Sequence, residues 1–237
     1  VDSVSTSADS SGLDVDADST VTSLSVANIT PVAIADGSIL SGAITVTAGS
    51  IKLAETGTLA SSISMSGGVL DADNSLTVSG TLTHTDDITI DVLTDKTLTY
   101  SGTAISLGAN TLTLSGGGTF SNTNALVLND ENSLLSLAGI LTIGDVEGTA
   151  ASNTGKGIQV SSSATLGDYD LSAESNLAIA ANQTLAGQLN LQSNGELNIS
   201  GDGGYTGGIA LAGGKFRAVD DLTLAGTLSL SASSEII

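Results

Sequence analysis

Hydrophobic and polar residues alternate along this chain over very short stretches. Pairs such as Ile44-x-Val46, Ile63-x-Met65 and Leu76-x-Val78 recur down the sequence, and Gly, Asn or Asp punctuates nearly every gap between them. Because alternate residues of a strand face the same side, each pair predicts a strand that turns two aliphatic side chains inward. Apolar residues do not recur at the spacing of an amphipathic helix, so the pattern predicts an all-β protein.

The same pattern repeats over longer stretches. Residues 63–82 read ISMSGGVLDADNSLTVSGTL, and residues 209–228 read IALAGGKFRAVDDLTLAGTL, which aligns with the first segment without a gap. A shorter kernel also recurs, beginning at Asn110, Asn132 and Asn182. It consists of Asn and a spacer, followed by Leu-x-Leu-x-Gly or a looser form of that pattern. Strands this short cannot bury a core individually and must stack on one another. The repeats predict a parallel β-solenoid of roughly ten to twelve coils, an elongated rod about 50 Å long.

Two segments depart from this rhythm. Residues 1–35 are rich in Ser and Asp and are interpreted as a linker, a cap or the first coils, before a solenoid over residues 36–237. The lone proline, Pro31, lies in this front segment, as expected if stacked strands exclude a residue that lacks the N–H. Residues 144–157, GDVEGTAASNTGKG, offer no strand pattern and predict a protruding loop.

Composition narrows the architecture and the partners. The chain has no Trp and no Cys, only two Phe and three Tyr, and a net charge of −20. A core of small aliphatic residues favours thin stacked coils over an immunoglobulin-like sandwich. The five Lys and Arg residues are too few for nucleic-acid binding. No apolar run approaches the ~20 residues of a membrane span, so we expect no membrane insertion by this segment.

Asp14, Asp16 and Asp18 form an Asp-x-Asp-x-Asp run that is similar to the start of a calcium loop. A full loop would need Gly and Glu where this chain has Ser19 and Ser25. Alternate carboxylates on a straight strand lie ~6.5–7 Å apart, so only a curled backbone would bring them onto one ion. Solvated charge and a calcium site both stay open here, and no other cofactor is expected.

Other polar residues are weaker candidates. His84 is the only histidine and lies beside Asp86 and Asp87, where a polar residue at a strand end explains it better than catalysis. Asp71 and Asp73 form a further acidic pair with less resemblance to a calcium loop. No residue is therefore assigned a catalytic role.

Thr-x-Thr pairs raise the question of a regular threonine ladder. Pairs begin at Thr45, Thr81, Thr97 and Thr111, which are 36, 16 and 14 residues apart. A flat ladder needs one fixed coil length, so these spacings predict no continuous threonine face.

One family resemblance rests on the kernel itself. The run NTLTLSGGGTFSNTNALVL from Asn110 to Leu128, with LTVSGTL and LTLAGTL, resembles the passenger repeats of autotransporter and filamentous-haemagglutinin-like adhesins. The resemblance covers roughly residues 36–235. It implies a right-handed parallel β-helix displayed outside the cell or at the outer membrane of a Gram-negative bacterium.

We therefore expect a non-enzymatic segment of a large exported surface adhesin or surface fibre. Its expected partners are a host or neighbouring-cell surface, a glycan, or other copies of itself, associated end to end or laterally. The alternative is a polysaccharide-binding or polysaccharide-cleaving β-helix. That alternative would be marked by a groove in which two acids lie beside an aromatic residue or an arginine.

Overall fold

The computed structural model describes residues 4–6, 12–151, 156–231 and 233–237. None of these residues is helical, and parallel strands stack as a β-solenoid of about 11 turns, which confirms the predicted fold class. A helix long and apolar enough to cross a membrane is not found in these ranges. The chain divides into a first unit, Val1–Ile105 with Leu112–Asn124, and a second unit, Ser106–Thr111 with Ala125–Ile237.

Each coil contributes strands to two sheets, called sheet A and sheet B. In the first unit, sheet A contains β1 (Val4–Thr6), β3 (Ser19–Val26), β5 (Ile39–Val46), β7 (Thr58–Leu59), β8 (Ser62–Met65), β10 (Leu76–Val78), β11 (Leu82–His84), β13 (Thr97–Tyr100) and β16 (Thr119–Asn122). Sheet B contains β2 (Leu13–Val15), β4 (Thr30–Ile34), β6 (Ser50–Leu53), β9 (Val69–Ala72), β12 (Ile88–Val92) and β15 (Thr111–Ser115). The short β14 (Ile105–Ser106) and the first residue of β15 lie at the division between the units.

The second unit repeats this arrangement. Its sheet A strands are β17 (Leu126–Leu128), β19 (Thr142–Ile143), β20 (Val146–Gly148), β22 (Ala164–Leu171), β24 (Thr184–Leu191), β26 (Gly204–Tyr205), β27 (Gly208–Ala212), β29 (Thr223–Leu224) and β30 (Leu228–Ser231). Its sheet B strands are β18 (Leu134–Leu137), β21 (Gly157–Val160), β23 (Glu174–Ile179), β25 (Glu196–Ser200), β28 (Lys215–Ala218) and β31 (Glu235–Ile236).

Inward-facing aliphatic side chains form columns that run from coil to coil. In sheet B, Ile51, Leu70, Ile90 and Leu114 pair in register across β6, β9, β12 and β15, and all four are buried. Burying one such side chain contributes about 1.5–3 kcal/mol relative to leaving it exposed. The alternation seen in the sequence is therefore the division between core and surface.

The first of the two matching segments is buried as predicted. Its Ile63, Met65, Leu76 and Val78 are at most 5 % exposed. In the second segment the aligned pattern also predicts buried, inward positions for Ile209, Leu211 and Leu224. Ile209 and Leu211 are buried, but the prediction for Leu224 is wrong, because 47 % of it is exposed. Leu222 is only part-buried. No strand within the described ranges pairs with the far side of β29, so the described residues leave this coil exposed.

Two segments contain strands that the sequence pattern did not assign. Val15, Val21 and Leu24 are buried, and the strands from Leu13 onward stack in register on the coils that follow. The division of the chain at residue 35 stays a prediction. Within residues 144–157, β20 pairs with β17 through Val146, its only large apolar residue. That single residue explains why no alternation was visible. Residues 152–155 lie outside the described residues, and the loop around them stays a prediction.

The few aromatic residues all lie in the core. At most 3 % of each is exposed, and they are Tyr100, Phe120, Tyr169, Tyr205 and Phe216. The tyrosine hydroxyls are hydrogen-bonded inside: the Leu82 N–H donates to Tyr100 Oη at 3.0 Å, and Tyr205 Oη donates to the Gly187 carbonyl at 2.7 Å. The coils therefore offer no aromatic ring to a ligand on their outer faces.

Candidate binding surfaces of the first unit

The three predicted calcium ligands lie at the start of the first unit. Asp14 is on β2, while Asp16 and Asp18 follow it in the connection to β3, and all three side chains are exposed. Asp18 Oδ1 accepts a hydrogen bond from the Ile39 N–H at 3.0 Å, a structural role that the sequence did not indicate. Among the described residues, no group of three His, Cys, Asp or Glu side chains is placed to hold a metal ion. The calcium site stays a prediction.

His84 is the last residue of β11, at a strand end as the sequence suggested. Its Nδ1 lies 3.1 Å from the Asp86 carbonyl oxygen, which anchors the ring to the following turn. Its Nε2 is buried and has no hydrogen-bond partner. The ring thus serves the local structure of the turn.

A charged column crosses the outer side of sheet B. Lys52 on β6 pairs in register with Asp71 on β9, Asp71 pairs with Asp91 on β12, and Asp91 pairs with Ser115 on β15. The Lys52 ammonium lies 2.8 Å from Asp73 Oδ2 and 3.6 Å from Asp71 Oδ2. The Ser115 hydroxyl donates to Asp91 Oδ1. Stacking thus brings together residues that are 19, 20 and 24 positions apart.

This column forms one wall of a shallow groove of about 330 Å³. The other lining residues are Ile29, Ser50, Val69 and Thr89. The Ser50 Oγ is buried without a hydrogen-bond partner, and 53 % of Ile29 is exposed. The volume lies at the lower end of the range of ligand sites, ~300–1,000 Å³. The groove therefore combines hydrogen-bonding groups with a small apolar patch, and we call it the Asp71 groove.

Charge in the Asp71 groove is unevenly compensated. Burial raises the pKa of the Asp71 carboxyl above its usual value, and the negative charges of Asp73 and Asp91 act in the same direction, against the opposing effect of Lys52. The hydrogen bond to Asp73 in turn raises the pKa of Lys52. The Lys52 ammonium contacts Asp71 and Asp73, while the third carboxyl, Asp91, accepts a hydrogen bond from Ser115. The groove therefore favours ligands that donate hydrogen bonds or carry positive charge.

A second surface lies on sheet A, on strands β3, β5, β8 and β11. Outward residues here form hydroxyl columns: Ser25, Thr45, Ser64 and Thr83 pair in register from coil to coil. A parallel column lies two residues further along and consists of Thr47, Ser66 and Thr85, whose N–H groups bond to the preceding coil. Apart from the part-exposed Ser25, all these side chains are exposed. We call this surface the hydroxyl face.

The hydroxyl face adds a regularity of mixed serine and threonine that the Thr-x-Thr spacings did not reveal. Thr45, Ser64 and Thr83 are spaced by 19 residues twice, which is one coil each time. Serine occupies the middle position, so a search restricted to threonine misses the regularity. Hydroxyls recur about every 4.8 Å between coils and about every 6.5–7 Å along each strand. The result is a regular lattice of hydrogen-bonding groups.

Comparison with known proteins gives no further guide to the ligand. The sequence matches no protein-family model, and neither the curated proteins nor the solved structures contain a significant match to it. The resemblance to autotransporter passenger repeats therefore stays a prediction. What the two surfaces bind has to be argued from their own geometry.

Proposed function

We propose that this chain is a non-enzymatic segment of a large exported bacterial adhesin or surface fibre. The observation that supports this most is the hydroxyl face, where Thr45, Ser64 and Thr83 repeat one chemical group at a constant interval. A repeating surface makes many weak contacts of the same kind, and such contacts gain strength through multivalency. This suits attachment to an extended surface better than capture of one small molecule.

The Asp71 groove bears on the alternative, a polysaccharide-binding or polysaccharide-cleaving β-helix. It places Asp71 beside Asp91, which is the acidic pair that such a site needs. Among the described residues, the groove is lined by Lys52 and by no aromatic residue or arginine, and all five aromatic rings are buried. Sugar rings normally stack on exposed aromatic side chains. The adhesin is therefore the better-supported function, and the glycan β-helix ranks second.

The expected partner follows from charge and hydrogen bonding. A net charge of −20 repels anionic surfaces, while exposed hydroxyls both donate and accept hydrogen bonds. The proposed ligand is thus a neutral, hydroxyl-rich surface such as a neutral glycan coat on a host or neighbouring cell. The proposed location is the one that the repeat resemblance implies, outside the cell or at the outer membrane.

A bead-adhesion experiment tests the proposal. Beads coated with the whole chain are passed over cells and over immobilised neutral polysaccharide, and the retained fraction is compared with that of albumin-coated beads. The triple variant Thr45→Lys, Ser64→Lys, Thr83→Lys should lose most of the retention, because lysine side chains interrupt the hydroxyl lattice. Equal retention of wild-type and albumin-coated beads on every surface would overturn the adhesin.

The matched control places three lysines on an equivalent outward column of the second unit. Ser172, Gln192 and Ala212 each follow an in-register inward residue and are exposed. The variant with lysine at these three positions changes the net charge by the same amount and should keep the retention. Release of reducing ends from a polysaccharide panel is measured in parallel, and sustained release would favour the cleaving β-helix instead.

A further inference from the structure

An outward column of sheet A in the second unit contains a gap. Thr184 on β24, Gly204 on β26 and Thr223 on β29 pair in register. Leu185 and Tyr205, which follow the first two of these residues, are fully buried, so the column itself points outward. The two threonines are exposed, whereas the glycine between them carries no side chain. The column therefore has a slot at Gly204.

The backbone does not require a glycine at this slot. The φ of Gly204 lies outside the left-handed region, and an added Cβ would meet Thr184 Cγ2 at 3.4 Å and the Thr223 carbonyl oxygen at 3.8 Å. These are ordinary van der Waals distances, so a side chain would fit here without backbone strain. The effect of the glycine is thus to keep the slot open.

The slot belongs to a groove of about 260 Å³ that is otherwise polar. Asn182 and Asp202 line the groove with exposed side chains, and within the part of the chain that the structure describes neither side chain makes a hydrogen bond. The Asn182 amide can donate and accept hydrogen bonds, while the Asp202 carboxylate accepts them. Both groups are therefore open to a ligand.

Gln183 lines the same groove and is held in place by Ser163. Its Oε1 accepts hydrogen bonds from the Ser163 N–H at 2.8 Å and from the Ser163 hydroxyl at 3.1 Å. Because a backbone N–H can only donate, this contact fixes which end of the amide is oxygen. The amide nitrogen, Nε2, has no hydrogen-bond partner among the described residues. Gln183 thus supplies an oriented and unused donor.

A second groove of about 320 Å³ adjoins the first, because Thr184 lines both. Thr142 and Thr165 pair in register here and are exposed. The next position of their column is Ala186, whose small side chain leaves space beside the two hydroxyls. Leu141, which is 53 % exposed, adds an apolar surface. We call the two adjoining grooves together the Gln183 groove.

We propose that the Gln183 groove binds a short neutral oligosaccharide. The groove combines an oriented donor on Gln183, an acceptor on Asp202 and threonine hydroxyls that do both. Sugar hydroxyls also donate and accept, so they can satisfy all three kinds of group. An ammonium ligand would set its own donors against the Gln183 amide. An anionic ligand would face Asp202 without a cation, since the described residues that line the groove include no Lys or Arg.

The size of the Gln183 groove favours more than one sugar ring. Each of its two parts is close to the lower end of the ~300–1,000 Å³ range of ligand sites. From Thr142 to Thr223 the groove crosses four rungs of sheet A, or about 19 Å. Leu141 offers an apolar surface to the C–H face of one ring. Because no aromatic ring lines the groove within the described ranges, we expect weak binding.

This site goes beyond the adhesive surface proposed above and does not rest on it. The hydroxyl face lies in the first unit, whereas every residue of the Gln183 groove belongs to the second. The two surfaces also differ in kind. The hydroxyl face repeats one group for multivalent attachment, while the groove offers one set of unlike groups that selects a ligand of matching pattern.

Saturation-transfer NMR of the whole chain tests the proposal. The probes are cellotetraose, maltotetraose and laminaritetraose, with tetragalacturonate as the anionic comparison. At least one neutral tetrasaccharide should bind, and tetragalacturonate should bind at least tenfold more weakly. Gly204→Thr fills the slot and should weaken the neutral binding at least tenfold. Ala210→Thr is the matched control, since it adds a hydroxyl-bearing side chain at an outward position of β27 outside the groove, and it should change the affinity less than twofold.

A second pair of variants tests the oriented donor. Gln183→Glu keeps an acceptor for both Ser163 bonds but replaces the Nε2 donor with an oxygen, and it should weaken binding at least fivefold. Gln192→Glu adds the same charge at an exposed position outside the groove and should leave the affinity within twofold. Far-ultraviolet circular dichroism should show all four variants folded.

Three results would overturn the proposal. The first is that none of the neutral tetrasaccharides binds, and the second is that tetragalacturonate binds as tightly as they do. The third is that Gly204→Thr and Gln183→Glu leave the binding unchanged, which would put the sugar elsewhere on the chain. The triple lysine variant of the hydroxyl face should keep this binding, and beads coated with Gly204→Thr should keep their retention on cells. Failure of the groove is therefore distinguishable from failure of the adhesin.

Discussion

Val78 and Leu224 occupy equivalent positions in two aligned twenty-residue segments, yet Val78 is fully buried and Leu224 is 47 % exposed. Tyr100 lies in register above Val78, whereas no described strand lies above Leu224. Burial at a core position of this fold thus depends on the next coil as much as on the residue itself.

The energetic consequence is a sharp difference between two similar substitutions. Val78→Asp buries an unpaired charge and should lower the free energy of unfolding by about 3 kcal/mol or more. Leu224→Asp should lower it by less than about 1 kcal/mol, because its side chain already meets water. Urea denaturation of both variants measures the difference, and equal losses would show that the two coils are covered alike.

The alternation of apolar and polar residues was sufficient to predict the solenoid and the inward positions of its regular coils. Ile63 and Met65 are buried because a two-residue period has only one inward side. The pattern could not reveal that Leu224 is exposed, since the burial of a core position depends on a separate coil. It also missed β20, where Val146 is the only large apolar residue.

The candidate surfaces were harder to predict, because they depend on coil length. Asp71 and Asp91 meet only if the intervening coil has 20 residues, and Ser115 reaches Asp91 only across 24. Coil lengths vary along the chain, and no single sequence motif specifies them. The hydroxyl face did carry a signal, the 19-residue interval of Thr45, Ser64 and Thr83, which appears once serine and threonine are treated as equivalent.

Asp71 is predicted to oppose folding when it is ionised. Its pKa in the folded protein is raised above the ordinary 3.8, chiefly by burial, so the protonated form is favoured. The stability that protonated Asp71 contributes is fully present below pH 3.8, and it is lost as the pH rises through the raised pKa. Asp71→Asn should therefore stabilise the protein at about pH 7 by less than about 1 kcal/mol, with no gain at about pH 3.

Asp73→Asn is the control for that substitution. Asp73 makes the shorter contact with Lys52, and its hydrogen bond is the main cause of the raised Lys52 pKa. Its loss should reduce stability slightly at neutral pH. Urea denaturation of both variants at both pH values gives the four changes in the free energy of unfolding. Destabilisation by both variants at neutral pH would contradict the prediction that ionised Asp71 opposes folding.

Tyr169 should make the fold sensitive to alkali. It is completely buried, and burial raises its pKa far above the ordinary 10.0, with Ser175 Oγ 2.5 Å from its hydroxyl. Stability from this residue is complete below pH 10.0 and falls as the pH rises further, by about 1.4 kcal/mol per pH unit. Tyr169→Phe should remove that slope while costing about 1 kcal/mol at neutral pH. Alkaline unfolding of the wild type and the variant, followed by tyrosinate absorbance, measures the two slopes. An unchanged slope in the variant would contradict this prediction.

Gly42 is predicted to be irreplaceable at its position within β5. Its φ is +124°, and an added Cβ would lie 1.8 Å from the Val21 carbonyl oxygen of the preceding coil. Gly42→Ala should therefore destabilise the protein by more than about 2 kcal/mol. Gly37, with φ +77° and open space around it, provides the comparison, and Gly37→Ala should cost only about 1 kcal/mol. Thermal or urea unfolding of the pair separates steric overlap from backbone strain.

Calcium is predicted to act through Asp14, Asp16 and Asp18 if the backbone there curls around an ion. Isothermal titration should then give saturable binding that Asp16→Asn weakens at least tenfold and that a chelator reverses. Magnesium at matched ionic strength is the control. Equal heats for both ions, or heats unaffected by the substitution, would mean that the three carboxyls only carry solvated charge.

The constant interval of the hydroxyl face has a consequence for how such a protein changes over generations. Thr45, Ser64 and Thr83 occupy the same place in consecutive coils. Recombination between two such places adds or removes one whole coil, and every remaining strand still meets a partner of the same kind. Length can therefore be inherited as a variable trait while the outward chemistry stays constant. Lineages could differ in how far the segment extends without differing in what it touches.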